Sequence, residues 1–290
     1  MSSQVRKTHT AKNAQTEEAQ SGALRIAVLG AGKMGGILVE AFLRSGLFTA
    51  DRIAATVAHD LRAQALSEKL GFRITTDNRR AVKDADIVLL AVKPTQVVEL
   101  VREITPTLKR SALLISIAAS VKTSAIEDAA GASRAVIRAM PNTPAMLAAG
   151  ITALCRGRFA TDDQLALAQK IFTTVGRTVV VDERHMDAVT GLSGSGPAFL
   201  YIILEALAEA GVNVGLPRET ATQLAAQTAY GAARMVLETG SHPALLKDEV
   251  TTPAGCTVDG ILELEEGGLR VTLIKAVKRA TERARELAGS

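Results

Sequence analysis

The feature that most constrains the fold of this chain is a glycine-rich stretch at residues 24–36, which reads LRIAVLGAGKMGG. A short apolar run, Ile26 to Leu29, comes directly before the glycines, and apolar residues at helical spacing follow them. This order predicts a strand, a tight turn and a helix whose first amides bind the pyrophosphate of a dinucleotide. A glycine turn of purely structural use is the alternative interpretation.

Each glycine of this turn has its own expected role. Gly30 permits the tight turn, Gly32 lets a phosphate approach the backbone, and Gly35 lets the helix pack close to the strand. Lys33 and Met34 lie between these glycines at the expected helix start, so we place them in the same cofactor site.

Length and composition limit the other classes of function. The 290 residues suggest roughly two domains, and 47% hydrophobic with 22% charged residues is typical of an ordinary soluble protein. The formal net charge is only +4 and no basic run is interleaved with aromatics, which gives nucleic-acid binding little support. Cys155 and Cys256 lack metal-ligand spacing and the four histidines are scattered, so we expect no metal site.

The N-terminal segment gives an expectation about location. Residues 1–22 are polar and have no signal-peptide core, so we expect a disordered leader outside the fold. No apolar run approaches the roughly 20 residues that a membrane span needs. We therefore expect no membrane partner and a cytoplasmic location.

The first half of the chain, from Arg25 to about Pro141, alternates short apolar runs with helical segments, which predicts a parallel sheet covered on both faces. A further strand, helix and strand are expected to extend the sheet edge. The sequence thus predicts an α/β dinucleotide-binding domain over residues 23–182. The expected strands are Ile26–Leu29, Arg52–Thr56, Phe72–Thr75, Ile87–Val92, Ala112–Ile117, Ala135–Ala139, Ile151–Leu154 and Thr178–Val181.

After Asp182 strand signals disappear and long helical segments follow, which predicts an all-α domain over residues 183–290. Residues 197–212 and 218–238 are apolar or small around most of the helix circumference. Helices of this kind are buried on nearly every side. One subunit has too few helices to enclose both, so we expect a second subunit to complete the bundle.

The end of the second predicted strand selects between the two nicotinamide dinucleotides, because a carboxylate there binds the ribose 2′-hydroxyl of NAD. No acidic residue occupies positions 56–59, and we expect Asp60 to cap the next helix. Thr56, His59 and Arg62 could together bind a 2′-phosphate, although His59 could equally be a solvated surface imidazole. We therefore favour NADP, with NADPH as the preferred reductant, and keep NADH bound through Asp60 as the alternative.

Two later strand ends are expected to face the ligand crevice. In Ala91-Val92-Lys93-Pro94, which we assign to the cofactor site, Lys93 either lines the crevice or is solvated beside it. Met140-Pro141-Asn142-Thr143-Pro144 follows another strand, and two prolines hold this loop rigid. Asn142 is expected to donate to the nicotinamide or its ribose, with an ordinary turn asparagine as the alternative.

Together with Ser193-Gly194-Ser195-Gly196-Pro197-Ala198-Phe199 and the run from Asp248 to Thr257, these segments resemble the pyrroline-5-carboxylate reductase family in content and order. The resemblance implies an N-terminal Rossmann dinucleotide-binding domain followed by an all-α dimerisation and substrate domain. It implies reduction of 1-pyrroline-5-carboxylate to L-proline with NAD(P)H, the final step of proline biosynthesis. It also implies a homodimer, which in this family often assembles into a larger ring such as a decamer.

The resemblance also implies roles for single residues. Asn78 would approach the adenosine ribose of the cofactor. Thr252 and Thr257, with the amides between them, would hold the carboxylate and ring nitrogen of the substrate. One departure is visible: the family commonly has two adjacent glycines after this proline, whereas here Ala254 precedes Gly255.

The substrate loop also has an interpretation from its residues alone. The amides of Gly255, Cys256 and Thr257 are expected to be unpaired donors at a helix start, which suits a carboxylate. The hydroxyl of Thr257 can contact an imine nitrogen, which makes it our catalytic candidate. An ordinary helix capped by Thr252 is the alternative.

Two other classes of protein remain open at this stage. The first is another imine reductase or a β-hydroxyacid-type NADP-dependent oxidoreductase, which usually needs a catalytic lysine that residues 187–199 lack. The second is a non-catalytic NADP-binding redox sensor, against which the intact substrate loop argues. Reduction of a cyclic imine asks little of the protein beyond orientation and exclusion of water, and the sequence shows no other catalytic set.

Overall fold

The computed structural model describes residues 24–131 and 133–288, so the expected leader, residues 1–22, lies outside the described residues. The first compact unit extends to Gly194 and also includes the chain from Thr281 onward. It holds one eight-stranded sheet. The strands are β1 (Ile26–Leu29), β2 (Ile53–Thr56), β3 (Ile74–Thr75), β4 (Ile87–Leu90), β5 (Leu113–Ser116), β6 (Val136–Met140), β7 (Gly150–Arg156) and β8 (Gly176–Val180).

The strand order is β3-β2-β1-β4-β5-β6-β7-β8. The strands from β3 to β6 are parallel, β7 runs antiparallel to β6, and β8 is parallel to β7. The order reverses direction at β1, so a crevice opens between the carboxyl ends of β1 and β4. Each predicted strand, including the two at the sheet edge, is confirmed with ends that differ by at most two residues.

Helices cover both faces of the sheet. Alternate residues of β1 belong to two separate cores, because successive side chains of a strand point to opposite faces. Phe42 and Phe172 fill the first core, and Val101 and Ile126 fill the second. The helices of this unit are α1 (Lys33–Arg44), α2 (Asp60–Leu70), α3 (Asn78–Val82), α4 (Val97–Ile104), α5 (Thr123–Ala130), α6 (Asp162–Thr173) and α7 (Met186–Val189).

One helix start differs from the expectation. Asp60 is the first residue of α2, but its side chain does not cap the helix; His59 occupies the N-cap position and makes no capping bond. The Asp60 carboxylate instead accepts a hydrogen bond from the Thr76 hydroxyl at 3.0 Å. Asp77 does cap α3, since its carboxylate accepts from the amide of Arg80 at 2.9 Å.

The second compact unit comprises Ser195–Ala280. Among the described residues no strand follows Val180, as the sequence predicts. The compact units divide after Gly194, and Glu183 and Asp187 bond into the first unit, whereas the expected domain boundary after residue 182 stays a prediction. The remaining helices are α8 (Gly196–Asn213), α9 (Arg218–Thr239), α10 (Pro243–Glu249), α11 (Cys256–Glu266) and α12 (Leu269–Ala288), of which α12 ends within the first unit.

The two long helices of the second unit keep much apolar surface exposed. They pack on each other, yet Ile202 of α8 is 65% exposed and Tyr230 of α9 is 56% exposed. This agrees with the expectation that one subunit cannot enclose both helices. Contrary to our expectation from the sequence, Glu183–Asn213 is helical, long and apolar enough to cross a membrane by length and composition alone.

A buried arginine, which the sequence analysis did not single out, connects three elements of the first unit. Arg138 of β6 is only 3% exposed, and its guanidinium lies 3.7 Å from the Glu183 carboxylate and 3.5 Å from that of Asp187. Glu183 also accepts bonds from the amide and hydroxyl of Thr123, at 2.7 and 2.8 Å, where α5 begins.

The neighbouring Cys155 is buried, and burial, followed by the Glu183 charge, raises the pKa of its thiol to about 12.

We expect Arg138→Met to lower the free energy of unfolding by about 2–4 kcal/mol, because it leaves two partly buried carboxylates without their cation. Arg156→Met is the matched control. Its 2.8 Å pair with Asp162 is exposed on both sides, and its loss should cost less than about 1 kcal/mol. Urea unfolding of both variants checks the difference, and equal losses would show that the buried network is not special.

Candidate functional site

The glycine turn fits closely against the end of β4. Gly30 has a φ of +91°, and a Cβ added there would lie 2.8 Å from the Val92 side chain and 2.9 Å from the Ala91 carbonyl oxygen. A Cβ on Gly35 would overlap the Gly30 carbonyl oxygen. A Cβ added at Gly32, by contrast, would lie 3.9 Å from its nearest neighbour, the Gly30 carbonyl oxygen. These contacts agree with the separate roles expected for the three glycines.

The start of α1 offers free donors beside this open position. The Gly32 amide bonds the Gly30 carbonyl at 2.6 Å, and the Gly36 amide is the first to bond back into the helix, to Gly32 at 2.9 Å. By helix geometry, the amides of Lys33, Met34 and Gly35 have no intrahelical acceptor. They form the positive end of the helix dipole, where a pyrophosphate binds favourably. The glycine turn and the first amides of α1 therefore fit the pyrophosphate of a dinucleotide.

Thr56 lies beneath the turn rather than at the surface. It is 1% exposed, its carbonyl accepts from the amides of Gly30 and Ala31 at 3.1 and 2.7 Å, and its hydroxyl donates to the Asn78 side chain at 2.8 Å. This differs from the expectation that Thr56 contacts a 2′-phosphate, because its hydroxyl is enclosed and already bonded. Asn78 also donates to Glu103 at 3.5 Å, so the Thr56 and Asn78 side chains are both fixed beneath the turn, and the contact of Asn78 with the adenosine ribose stays a prediction.

Several basic side chains are exposed at the tip of β2. His59 and Arg62 are both exposed on the turn and first helical residues after β2. Arg79 and Arg80, at the start of α3, are exposed as well. Of the three residues expected to bind a 2′-phosphate, only His59 and Arg62 are therefore accessible to a ligand.

The strand ends beyond the glycine turn carry the other predicted cofactor residues. Ala91 and Val92 are half-buried and pack against the turn, whereas Lys93 and Pro94 are exposed and line a cavity of about 700 Å³. Lys93 thus lies at a recess just beyond the carboxyl end of the central strand β4, where its ammonium can meet an anionic or carbonyl group.

The side-chain amide of Asn142 already forms two hydrogen bonds within the protein, which the sequence did not predict. Its amide nitrogen donates to the Ser193 carbonyl at 3.2 Å, and its oxygen accepts from the Ile151 amide at 3.0 Å. These bonds fit the alternative of a structural turn asparagine. One amide hydrogen remains for a ligand, so a cofactor contact stays a prediction.

A buried serine in this region was missed. Ser120, after β5, has a φ of +65°, lines the same cavity as Lys93, and donates to the Ala284 carbonyl at 2.8 Å. The bond joins residues 164 positions apart, so no local sequence pattern predicts it.

The substrate loop lies in the second unit between α10 and α11. Gly255 is the N-cap of α11, so Thr252 does not cap this helix. The Gly255 amide donates to the Thr252 carbonyl at 3.0 Å, which corrects our expectation that it is a free donor. The amides of Cys256 and Thr257 remain without intrahelical acceptors, and the side chain of Cys256 is exposed.

The residue that departs from the family pattern adopts a strained backbone. Ala254 has a φ of +55°, the left-handed conformation that glycine adopts without penalty. A residue with a Cβ pays roughly 1–2 kcal/mol there. The loop therefore keeps the shape that a glycine would favour, although its residue is an alanine.

The fold and these two sites define the class of the protein: a dinucleotide-dependent oxidoreductase with a separate helical substrate domain. Comparison with known proteins agrees with this class. A model of pyrroline-5-carboxylate reductase dimerisation matches residues 183–287, and a model of coenzyme F420-dependent NADP oxidoreductases matches residues 25–120.

Full-length relatives narrow the class to one family. The pyrroline-5-carboxylate reductase of Methanosarcina acetivorans is 44% identical over 91% of this chain and 97% of that protein. A solved pyrroline-5-carboxylate reductase from Coxiella burnetii is 39% identical with a TM-score of 0.85, over 92% of this chain and 99% of that one. A Plasmodium falciparum pyrroline carboxylate reductase with NADP bound is 27% identical with a TM-score of 0.83, over 92% and 98% of the two chains.

The chain belongs to the pyrroline-5-carboxylate reductase family. It is an NAD(P)H-dependent oxidoreductase that reduces 1-pyrroline-5-carboxylate to L-proline in proline biosynthesis. Its helical domain is a dimerisation domain, so the protein is a homodimer, which agrees with the exposed apolar surface around Ile202. The cytoplasmic location stays a prediction.

We expect Ala254→Val to raise the KM for pyrroline-5-carboxylate about tenfold, because a β-branched residue at positive φ forces the loop to rearrange. The KM for the reduced cofactor should not change, since the substitution lies outside the glycine turn. Ala254→Gly is the matched control: it retains the loop conformation and should keep the substrate KM within about twofold. Steady-state kinetics with each variant would contradict this interpretation if valine and glycine behaved alike.

Proposed function

We propose that the enzyme uses NADPH in preference to NADH for the reduction. The observation that carries this proposal is the tip of β2, where the side chains of His59 and Arg62 are exposed and no acidic residue precedes Asp60. The acidic alternative, Asp60, is hydrogen bonded to Thr76 at 3.0 Å. A ribose 2′-phosphate gains charge-assisted bonds from the Arg62 guanidinium, whereas the nearest carboxylate that could accept from a 2′-hydroxyl is held by Thr76.

The chemistry requires binding and orientation more than acid–base catalysis. When bound, the reduced nicotinamide supplies a hydride to the imine carbon of the substrate. The protein holds the pyrophosphate through the amides at the start of α1, and the bonded pair of Thr56 and Asn78 keeps that turn rigid. The positive nitrogen becomes a neutral amine as the carbon accepts the hydride, so no leaving group needs a proton.

The test of cofactor preference is a comparison of kcat/KM for NADPH and NADH in the wild-type enzyme. We expect NADPH to be favoured at least about tenfold, as the loss of a charge-assisted contact predicts. His59→Ala and Arg62→Ala should each lower the NADPH value and leave the NADH value nearly unchanged. A clear wild-type preference for NADH would overturn the proposal.

Thr257 is our candidate for the residue that positions the substrate imine. It is the second residue of α11, half-buried, and its amide lies in the unpaired first turn. The Cys256 and Thr257 amides suit the substrate carboxylate, and the Thr257 hydroxyl is an acceptor for a protonated imine nitrogen. These features support a role in substrate binding and orientation.

We expect Thr257→Val to lower kcat/KM for pyrroline-5-carboxylate by about 10- to 100-fold, which is the value of one hydrogen bond to a charged group. The affinity for NADPH, measured by fluorescence titration, should remain at the wild-type level. Thr257→Ser keeps the hydroxyl and should recover most of the activity. Wild-type kinetics in the valine variant would remove Thr257 from the site.

We also propose that the homodimers assemble further, into a ring such as a decamer. The helical unit supports this because exposed apolar residues are spread over several helices, including Leu262 of α11 and Ile274 of α12, both 61% exposed. Light scattering of the native enzyme separates the possibilities. A mass of ten subunits is expected, and a mass of two subunits at all concentrations would exclude the ring.

A further inference from the structure

Two carboxylates stand near the tips of β2 and β3, and each is engaged by a neighbouring group. The carboxylate of Asp60 accepts from the Thr76 hydroxyl at 3.0 Å. That of Asp77 accepts from the Arg80 amide at 2.9 Å. Neither acid forms one of the short ion pairs seen elsewhere in the described residues. The guanidinium of the exposed Arg62 is therefore not neutralised by an ion pair with either of these two acids.

The Asp60–Thr76 bond connects two elements that the backbone already holds side by side. The Val57 amide, just after β2, donates to the carbonyl of Thr75, the last residue of β3, at 3.0 Å. Thr76 follows directly, and Asp60 begins α2 three residues beyond Val57. Because the backbone is fixed at this point, the hydroxyl has a defined position from which to hold the carboxylate.

The Asp60 carboxylate could in principle favour NADH over NADPH. It is exposed, and it is the first acidic residue after the end of β2. An acid in this part of a dinucleotide fold accepts a bond from the ribose 2′-hydroxyl and repels a 2′-phosphate. What limits Asp60 is the direction in which its side chain is held.

We propose that Thr76 is a positioning residue for cofactor specificity, which holds the Asp60 carboxylate against β3 and away from the cofactor ribose. This inference rests on the proposed preference for NADPH and names Thr76 as a residue that maintains this preference. Without the Thr76 hydroxyl, the Asp60 side chain is free to rotate toward the ribose. It then opposes the 2′-phosphate of NADPH and accepts from the 2′-hydroxyl of NADH.

The test is a set of four variants: Thr76→Val, Thr76→Ser, Asp60→Asn and the double variant Asp60→Asn with Thr76→Val. In each, kcat/KM is measured with NADPH and with NADH. Thr76→Val should lower the NADPH-to-NADH ratio by about three- to tenfold, through the KM values and with kcat unchanged. Thr76→Ser restores the hydroxyl and should give the wild-type ratio.

The double variant shows whether the effect passes through Asp60. If it does, Thr76→Val has no further effect on the ratio once Asp60 is asparagine, because the charge that it releases is gone. An unchanged ratio in Thr76→Val, or an equal shift in the asparagine background, would overturn the inference. The proposed NADPH preference fails separately, through the wild-type ratio itself, whereas this inference is decided by changes relative to that ratio.

Discussion

The close approach of the glycine turn to the end of β4 is the constraint on which the cofactor site depends. With a Cβ at Gly30, the turn would collide with Val92 and the Ala91 carbonyl, and the amides at the start of α1 would move away from the sheet edge. The buried strands on each side make this approach possible, because β1 and β4 are apolar throughout and pair in register. The binding surface is therefore mostly backbone, and side chains serve to hold it.

Much of the architecture follows from local sequence patterns. The strands and the helical C-terminal half were predictable, since buried parallel strands are continuous apolar runs and strand signals end at Asp182. The strand order with its reversal at β1 was not part of that prediction. Details that depend on contacts between distant residues were not. Arg138 meets Glu183 across 45 positions, and the Thr56 hydroxyl is enclosed by Asn78, so neither partner is visible in a local window.

The candidate sites show the same division. The close packing at Gly30 and Gly35 agrees with the roles expected for these glycines, because turn chemistry is local, whereas phosphate binding by the helix amides stays a prediction. At the substrate loop the sequence located the helix start but assigned one free amide too many, since the Gly255 amide bonds back to Thr252. Asp60 was expected to cap α2, whereas Thr76 competes successfully for its carboxylate. Short side chains with several partners in reach are the hardest to assign from sequence alone.

The contrast between the two cysteines has a practical consequence. Cys155 is buried with a pKa of about 12, so its sulfur stays protonated and unreactive in neutral solution. Cys256 is exposed at the first residue of α11. A thiol-directed dye added to the native enzyme therefore has one accessible target in each subunit, at the start of α11 in the proposed substrate loop, without any engineered cysteine.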